Sequence, residues 1–218
     1  MPLARYLSRQ GYTTAVPTLA GHGNNLRELN NFSYLDWIAS AEAELKELLA
    51  SHRKVYIIGF SMGGLIGLFL AQKYPIQGLV TLSAPIYLLD KKRLLKNIIK
   101  GLKNKDYRRI KKYTCNVLHT PLKAVIHFKT LLSKCKRLIP VLTAPLLIIQ
   151  GLKDDTVQPK SADYIFQYAG SSKKQLCFLP ESGHLICCDC EKQRVFELVK
   201  TFLDSTVILS TQLIFKQC

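Results

Sequence analysis

Short apolar runs alternate along this chain with longer stretches of helical character. The runs at Val55–Ile58, Pro145–Gln150 and Gln175–Pro180 have the length and composition of buried strands, whereas Met1–Leu7 and Leu65–Lys73 look helical. The full predicted order is helix, strand, helix, strand, helix, strand, insertion, strand, helix, strand and helix. This alternation predicts an α/β fold with a mostly parallel sheet flanked by helices.

The length of 218 residues suits one unit of this type. We therefore predict a single domain over residues 1–218, interrupted by a helical insertion at about residues 88–140. No apolar run approaches the roughly 18 residues of a membrane-spanning helix, and no signal peptide is evident. We expect a cytoplasmic protein.

The insertion differs from the rest of the chain in charge. Between residues 91 and 140 there are 16 Lys and Arg and one acidic residue, Asp106, so this stretch carries +15 of the net charge of +16. Between residues 94 and 102, apolar residues recur at helical spacing with lysines among them. This pattern predicts an amphipathic helix with a basic face.

Three interpretations of the basic helix compete: a solvated cap helix whose apolar face covers a pocket, a contact with anionic lipid, and a nucleic-acid patch. We favour the cap helix. Contact with an anionic membrane surface is the second hypothesis, because clusters of four to eight cations beside an apolar face bind anionic lipid. We predict no nucleic-acid partner, since no recognised binding motif accompanies the charge.

The sequence GFSMGG at residues 59–64 joins the first clear strand-like run to a helical one. It contains the G-x-S-x-G pattern of a nucleophile elbow, a strained turn that exposes a serine hydroxyl and directs the next backbone N–H towards a developing oxyanion. Ser61 is the candidate nucleophile. We expect Gly59 and Gly63 to be the positions where a larger side chain would crowd the turn.

An acid and a histidine follow in the chain order that such a serine requires. Asp154 and Asp155 lie in the turn after the run that ends at Gln150, and either carboxylate could orient a histidine. His184 follows the next strand-like run, and it is the only one of the five histidines so placed. His22 is expected to border the pocket without acting as a base. The remaining three are interpreted as structural: His52, His119 and His127.

These motifs together resemble the carboxylesterase and monoacylglycerol lipase family of bacterial α/β-hydrolases. The resemblance covers nearly the whole chain and implies the α/β-hydrolase fold with a small helical lid. Its further pieces are Gly11-Tyr12 before an expected strand at Thr13–Pro17, the loop Ala20–Gly23, Asp36-Trp37 at a helix start, Ser83-Ala84-Pro85 after a strand, and Thr120–Lys123 in the lid.

By this resemblance Ser61 is the nucleophile, His184 the general base and later the general acid, and Asp154 the residue that orients the histidine. The family's spacing favours Asp154 over Asp155, which is interpreted as a solvated turn residue. The backbone N–H of Met62 is the predicted oxyanion donor, and no metal or organic cofactor is needed. Four apolar lid residues would face an acyl chain, and ordinary lid packing is at least as good an interpretation of each one singly: Ile126, Phe128, Leu131 and Leu132.

Members of this family begin with strands ahead of the first helix, and this sequence begins inside that helix. We expect a strand beside the elbow strand to be missing, together with a loop that supplies a second oxyanion donor. Loss of one such donor typically lowers turnover by on the order of 100- to 1,000-fold. We therefore expect a shortened version of a working enzyme.

The expected function is hydrolysis of carboxylic esters with short to medium acyl chains, or of monoacylglycerols, through an acyl-serine intermediate. The alternative is a non-catalytic remnant or a basic lipid-binding module. Peptide or thioester hydrolysis with the same residues stays open, because a triad fixes the type of reaction and not the leaving group.

The seven cysteines include the sequence Cys187-Cys188-Asp189-Cys190 shortly after His184. No second cluster stands at the spacing of a zinc site, and the count is odd, so we expect reduced thiols and no metal site. One hypothesis is that oxidation of Cys187 or Cys188 would disturb His184.

Overall fold

The computed structural model describes residues 1–23, 26–88 and 121–214. The amphipathic helix predicted at residues 94–102, most of the predicted insertion, and His119 lie outside these ranges. The described helices are α1 (Pro2–Arg9), α2 (Tyr34–Ser51), α3 (Met62–Lys73), α4 (Leu122–Leu138), α5 (Lys160–Tyr168) and α6 (Lys192–Ile214), with short 3-10 helices at Leu26–Asn31 and Ile139–Val141. The strands are β1 (Tyr56–Phe60), β2 (Gly78–Leu82), β3 (Leu146–Gly151) and β4 (Lys174–Leu179).

The four strands form one parallel sheet in the order β1-β2-β3-β4. This confirms the predicted α/β fold with a parallel sheet flanked by helices. Parallel neighbours bring their carboxyl ends to one edge of the sheet, and open α/β sheets bind their ligands at that edge. The elbow after β1, the acid turn after β3 and the histidine loop after β4 therefore share one edge.

The prediction of a strand at Thr13–Pro17 is wrong, since residues 12–19 form no strand. A strand needs a neighbour to complete its ladder of hydrogen bonds, and within the described residues β1 pairs on one side only, with β2. Side chains fix the segment instead. The hydroxyl of Tyr12 donates to the carboxylate of Asp204 in α6, and Thr13 Oγ1 lies 3.2 Å from His52 Nε2.

Each face of the sheet packs against its own set of helices. On one face, Leu79 and Ile148 belong to a cluster with buried residues of α2, α3, α4 and α5, among them Trp37, which is 2% exposed. On the other face, Leu147 and Ile149 pack with residues of α1 and α6. Successive strand side chains point to opposite faces, so these strands are apolar on both sides, as in sheets covered by helices on both faces.

The four apolar residues of α4 that were expected to face an acyl chain do not share one environment. Leu131 is fully buried in the core, Phe128 and Leu132 are partly buried against it, and Ile126 is 54% exposed. Leu131 therefore fits the packing alternative, because it lies in the core cluster. In the described part of the chain, no helix is long and apolar enough to cross a membrane.

Candidate active site

Ser61 lies at the turn between β1 and α3 with a backbone φ of 51°, in the left-handed region that non-glycine residues rarely adopt. Its N–H donates to the carbonyl oxygen of Leu82 at 2.8 Å, and its own carbonyl accepts from the N–H of Gly64 at 2.9 Å. These two bonds hold the turn in its strained form, which is the geometry of a nucleophile elbow.

The glycines of this turn have unequal roles. A Cβ on Gly59 would lie 2.2 Å from the carbonyl oxygen of Gly63, and a Cβ on Gly64 would lie 2.7 Å from the Cβ of Ala84. A Cβ on Gly63 would meet nothing within 4 Å. The prediction for Gly63 is therefore wrong. Gly63 contributes its backbone to the close contact, and Gly64 is the second position that must stay small.

His184 lies on the loop after β4 and reaches both of the other candidate residues. Its Nε2 is 3.2 Å from Ser61 Oγ, and its Nδ1 is 2.9 Å from Asp154 Oδ2. The ring packs against the ring of Phe60, with 5.0 Å between the centroids. Hydrogen-bond contacts therefore connect the Ser61 hydroxyl, the His184 ring and the Asp154 carboxylate. Only 11% of the His184 side chain is exposed, so water has little access to these contacts.

Asp154 is 2% exposed and its carboxylate is surrounded by N–H donors. Oδ1 accepts from the backbone N–H groups of Thr156 and Val157, both at 2.8 Å. Oδ2 accepts from Gln150 Nε2 at 2.8 Å in addition to its contact with His184. Asp155 instead accepts from the hydroxyl of Thr156 at 3.2 Å, so the geometry brings Asp154 to the histidine.

Two carboxylates that no sequence motif indicated, those of Asp189 and Glu191, hold the loop that carries His184. Asp189 accepts from the N–H of Gly183 at 2.7 Å. Glu191 accepts from the hydroxyl of Ser182 at 2.7 Å and from the N–H of Glu181 at 2.9 Å. The hydrogen bond from Ser182 holds the pKa of Glu191 below its usual value. Nothing in the sequence beyond nearness to His184 indicated these contacts.

The neighbouring strand ends also support the histidine loop. The hydroxyl of Ser83, just after β2, donates to the carbonyl oxygen of His184 at 3.2 Å. A Cβ on Gly151, at the end of β3, would lie 2.4 Å from the carbonyl oxygen of Ser182. Ser83 belonged to a recognised motif and Gly151 to the acid turn, but their contacts across the sheet edge were not predictable from either motif.

The other described histidines make contacts elsewhere. His22 is exposed, with Nδ1 3.1 Å from the carbonyl oxygen of Ala20 and its ring edge-on to Trp37 at 5.4 Å. His127 also packs against Trp37, with 6.4 Å between the centroids. No described contact joins either ring to Ser61.

Five of the seven cysteines lie in the described ranges, and each is a free thiol. Burial raises the pKa of Cys187 to about 11 and that of Cys135 to about 12. Within the same ranges, no three His, Cys, Asp or Glu side chains come together as metal ligands. Cys187 is therefore a packing residue in its protonated form at neutral pH.

Two bacterial enzymes are similar in sequence to this chain over most of its length. The chain is 28% identical over 207 residues to a thermostable monoacylglycerol lipase of Bacillus sp. (strain H-257), which covers 90% of this chain and 81% of the relative. It is 26% identical over 209 residues to a carboxylesterase of Bacillus subtilis (strain 168), covering 93% of this chain and 85% of the relative.

Solved structures share the fold. A structure from work on LipS and LipT, two metagenome-derived lipolytic enzymes, superimposes with a TM-score of 0.77 at 24% identity, over 93% of this chain and 86% of the other. A soluble variant of monoglyceride lipase from Saccharomyces cerevisiae gives a TM-score of 0.58 at 23% identity, over 79% and 68%. Residues 1–117, more than half of the chain, match the family described as alpha/beta hydrolase fold. The chain therefore belongs to the α/β-hydrolase family and is a distant homologue of bacterial monoacylglycerol lipase and carboxylesterase.

Proposed function

We propose that this protein hydrolyses carboxylic esters through an acyl-serine intermediate, with Ser61 as nucleophile, His184 as base and Asp154 as the orienting acid. One observation carries the proposal: His184 lies within hydrogen-bond reach of Ser61 Oγ, at 3.2 Å, and of Asp154 Oδ2, at 2.9 Å. A nucleophile bonded to a base that a third group orients is the signature of covalent acyl transfer.

In the first half of the reaction, Ser61 Oγ attacks the carbonyl carbon of the ester while His184 Nε2 accepts the hydroxyl proton. Met62 is the first residue of α3, and the backbone N–H groups in the first turn of a helix have no intrahelical acceptor. Its N–H therefore donates to the resulting oxyanion. The tetrahedral intermediate then expels the alcohol, which takes the proton from His184 and leaves an acyl ester on Ser61.

In the second half, His184 accepts a proton from water as the water oxygen attacks the acyl carbon. Collapse of this second intermediate breaks the bond to Ser61 Oγ, which recovers its proton from His184, and the carboxylic acid leaves. Asp154 keeps a proton on His184 Nδ1, so that Nε2 is free to accept the serine proton. The sequence of steps consumes one water and needs no metal or organic cofactor.

We propose esters with short to medium acyl chains, including monoacylglycerols, as the substrates. The names of the two bacterial relatives, a monoacylglycerol lipase and a carboxylesterase, support this class. The geometry of Ser61, His184 and Asp154 supports acyl transfer, and the names of the relatives favour an alcohol as the leaving group over an amine or a thiol.

Hydrolysis of a short-chain p-nitrophenyl ester and of a monoacylglycerol tests the proposal. Ser61→Ala should lower kcat by on the order of 10⁶-fold, because it removes the nucleophile on which the other two residues act. Ser171→Ala, another buried serine, is the matched control and should keep turnover. Equal turnover by wild type and Ser61→Ala, or a folded wild type without turnover, would contradict the proposal and favour the non-catalytic alternative.

A second candidate role, contact with an anionic membrane surface, has its own observation. Helix α4 contains no acidic residue, and its outer side exposes two aliphatic side chains, Leu122 at 76% and Ile126 at 54%. Four exposed cations accompany them: Lys123, Lys129, Lys134 and Arg137. Such a face suits the boundary between headgroups and acyl chains of an anionic bilayer.

Co-sedimentation with phosphatidylcholine vesicles, with and without phosphatidylglycerol, tests this second role. Replacement of Lys129, Lys134 and Arg137 by Gln should weaken binding to the anionic vesicles. The control replaces three exposed cations in loops outside α4, Arg53, Lys54 and Lys173, and should change binding less. Binding that is independent of the anionic lipid would argue against the membrane contact.

A further inference from the structure

Gln150 is a buried amide at a position where the rest of the strand is apolar. It is the penultimate residue of β3, is 1% exposed, and follows four aliphatic residues. By the alternation of a strand it shares a face with Ile148, which packs in the core beneath α2, α3 and α4. Leucine or methionine would fill this site without burying polar atoms.

The amide makes one contact with the candidate active site. Its Nε2 donates to Asp154 Oδ2 at 2.8 Å, and the same oxygen accepts from His184 Nδ1 at 2.9 Å. Nε2 also lies 3.2 Å from the carbonyl oxygen of Gly151. The other end of the amide, Oε1, is buried without a hydrogen-bond partner in the described part of the chain.

This arrangement is costly, because burying an amide oxygen without a partner forfeits its hydration. The N–H end of the same amide is fully used, and it is aimed at the carboxylate that orients the histidine. Because this polar side chain is kept in the core at such a cost, we infer that its contact with Asp154 contributes to the function of the candidate active site.

We propose that Gln150 is a positioning residue for the hydrolysis, an inference that rests on the proposed roles of Ser61, His184 and Asp154. The backbone N–H groups of Thr156 and Val157 fix one carboxylate oxygen, Oδ1, at 2.8 Å each. Gln150 fixes the other oxygen and so stops the carboxylate from rotating about its Cβ–Cγ bond. Oδ2 then stays in line with His184 Nδ1, and the ring keeps Nε2 directed at Ser61.

A double-mutant cycle on the full chain separates this role from a purely structural one. Gln150→Met, which has similar volume and no N–H, should lower kcat by about 10- to 100-fold with little change in KM, as expected for a lost hydrogen bond to a charged group. In an Asp154→Ala background, Gln150→Met should cause no further loss. An equal loss in both backgrounds, or no loss in either, would overturn the proposal.

A spectroscopic readout makes the test independent of turnover. In protein carrying ¹⁵N-labelled histidine, the proton on His184 Nδ1 gives an NMR signal that His184→Ala removes. Gln150→Met should shift and broaden this signal, because Asp154 is no longer held. An unchanged signal would overturn the positioning role of Gln150. A wild type that hydrolysed no ester would refute only the proposed function, and the NMR signal would still test the role of Gln150.

Two further variants complete the design. Thr81→Val is the matched control, because Thr81 is fully buried in β2, pairs with Ile148, and has an Oγ1 without a partner in the described ranges. It should change neither kcat nor the His184 signal. Gln150→Leu likewise lacks an N–H and covers the case in which Gln150→Met fails to fold. It should lower kcat by a similar factor, because Asp154 Oδ2 loses the same hydrogen bond, and wild-type kcat would overturn the proposal.

Discussion

The hydroxyl of Ser83 donates a hydrogen bond to the backbone carbonyl of His184 at 3.2 Å, although 101 positions separate the two residues in sequence. Ser83 is fully buried and has a φ of 50°, and its N–H donates to the carbonyl oxygen of Ile149 at 2.9 Å. One strained residue after β2 thus links the end of β3 to the loop of the candidate base.

Ser83→Ala should lower kcat for ester hydrolysis and reduce the free energy of unfolding by about 1 kcal/mol, because the loop loses one hydrogen bond. The matched control is Ser171→Ala, which removes another buried hydroxyl that donates to a carbonyl, that of Lys173 at 3.0 Å. The two variants should lose similar stability, and only Ser83→Ala should lose turnover. Equal turnover of both would show that the contact with His184 does not serve catalysis.

The adjacent glycines at the start of α3 should respond in opposite directions. Gly64→Ala places a methyl group 2.7 Å from the Cβ of Ala84 and should lower the free energy of unfolding by about 1–3 kcal/mol. Gly63→Ala meets open space and should leave stability unchanged or raise it by up to about 1 kcal/mol, through higher helix propensity. Urea unfolding of both variants measures the difference in their free energies of unfolding. A larger loss for Gly63→Ala than for Gly64→Ala would refute the conclusion that Gly64 is the position that must stay small.

Gly151→Ala should displace the loop that carries His184. Its methyl group would lie 2.4 Å from the carbonyl oxygen of Ser182 and 2.5 Å from that of Gly183, and neither backbone atom can move without the loop. We expect a loss of kcat of about tenfold or more, from a displaced base. Gly23→Ala, which meets nothing within 4 Å, is the control. Wild-type kcat for Gly151→Ala would show that the loop position is not critical.

The carboxylate of Glu191 should make the stability of the histidine loop dependent on pH. The hydrogen bond from Ser182 lowers the pKa of Glu191 in the folded state below its usual value of 4.5. Its contribution is therefore fully present above about pH 4.5 and is lost as the pH falls through the lowered pKa. Unfolding of wild type and Glu191→Gln between pH 3 and pH 6 should show a smaller acid-induced loss of stability in the variant. The exposed control Glu47→Gln should decline as wild type does.

The thiols near His184 should differ in reactivity. Burial raises the pKa of Cys187 to about 11, whereas Cys188 and Cys190 are exposed. Iodoacetamide at neutral pH should therefore label the two exposed thiols first and leave Cys187 protected in the native state, as peptide mass spectrometry would show. Rapid labelling of native Cys187 would contradict its burial. Oxidation that disturbs His184 is thus expected to begin at Cys188.

The strands and helices could be predicted from the sequence because the sheet is built from short, continuous apolar runs that are bounded by turn residues. Residues Leu146–Gly151 and Lys174–Leu179 form strands where apolar runs predicted them, and α3 begins directly after the serine of the elbow. The strand expected at 13–17 failed for a physical reason. A strand depends on a partner supplied by another segment, and local composition carries no information about that partner.

The order and spacing of chemical groups, by themselves, determined that Ser61 and His184 should meet. A serine on an elbow and a histidine after a later strand of a parallel sheet must reach the same edge. The family's spacing already favoured Asp154 over Asp155, and the structure brings Asp154 to His184. Tertiary structure alone decided that Gly64 rather than Gly63 must be small and that Gln150 and Ser83 contact the site. These choices depend on distances between segments far apart in sequence, which only the packed chain defines.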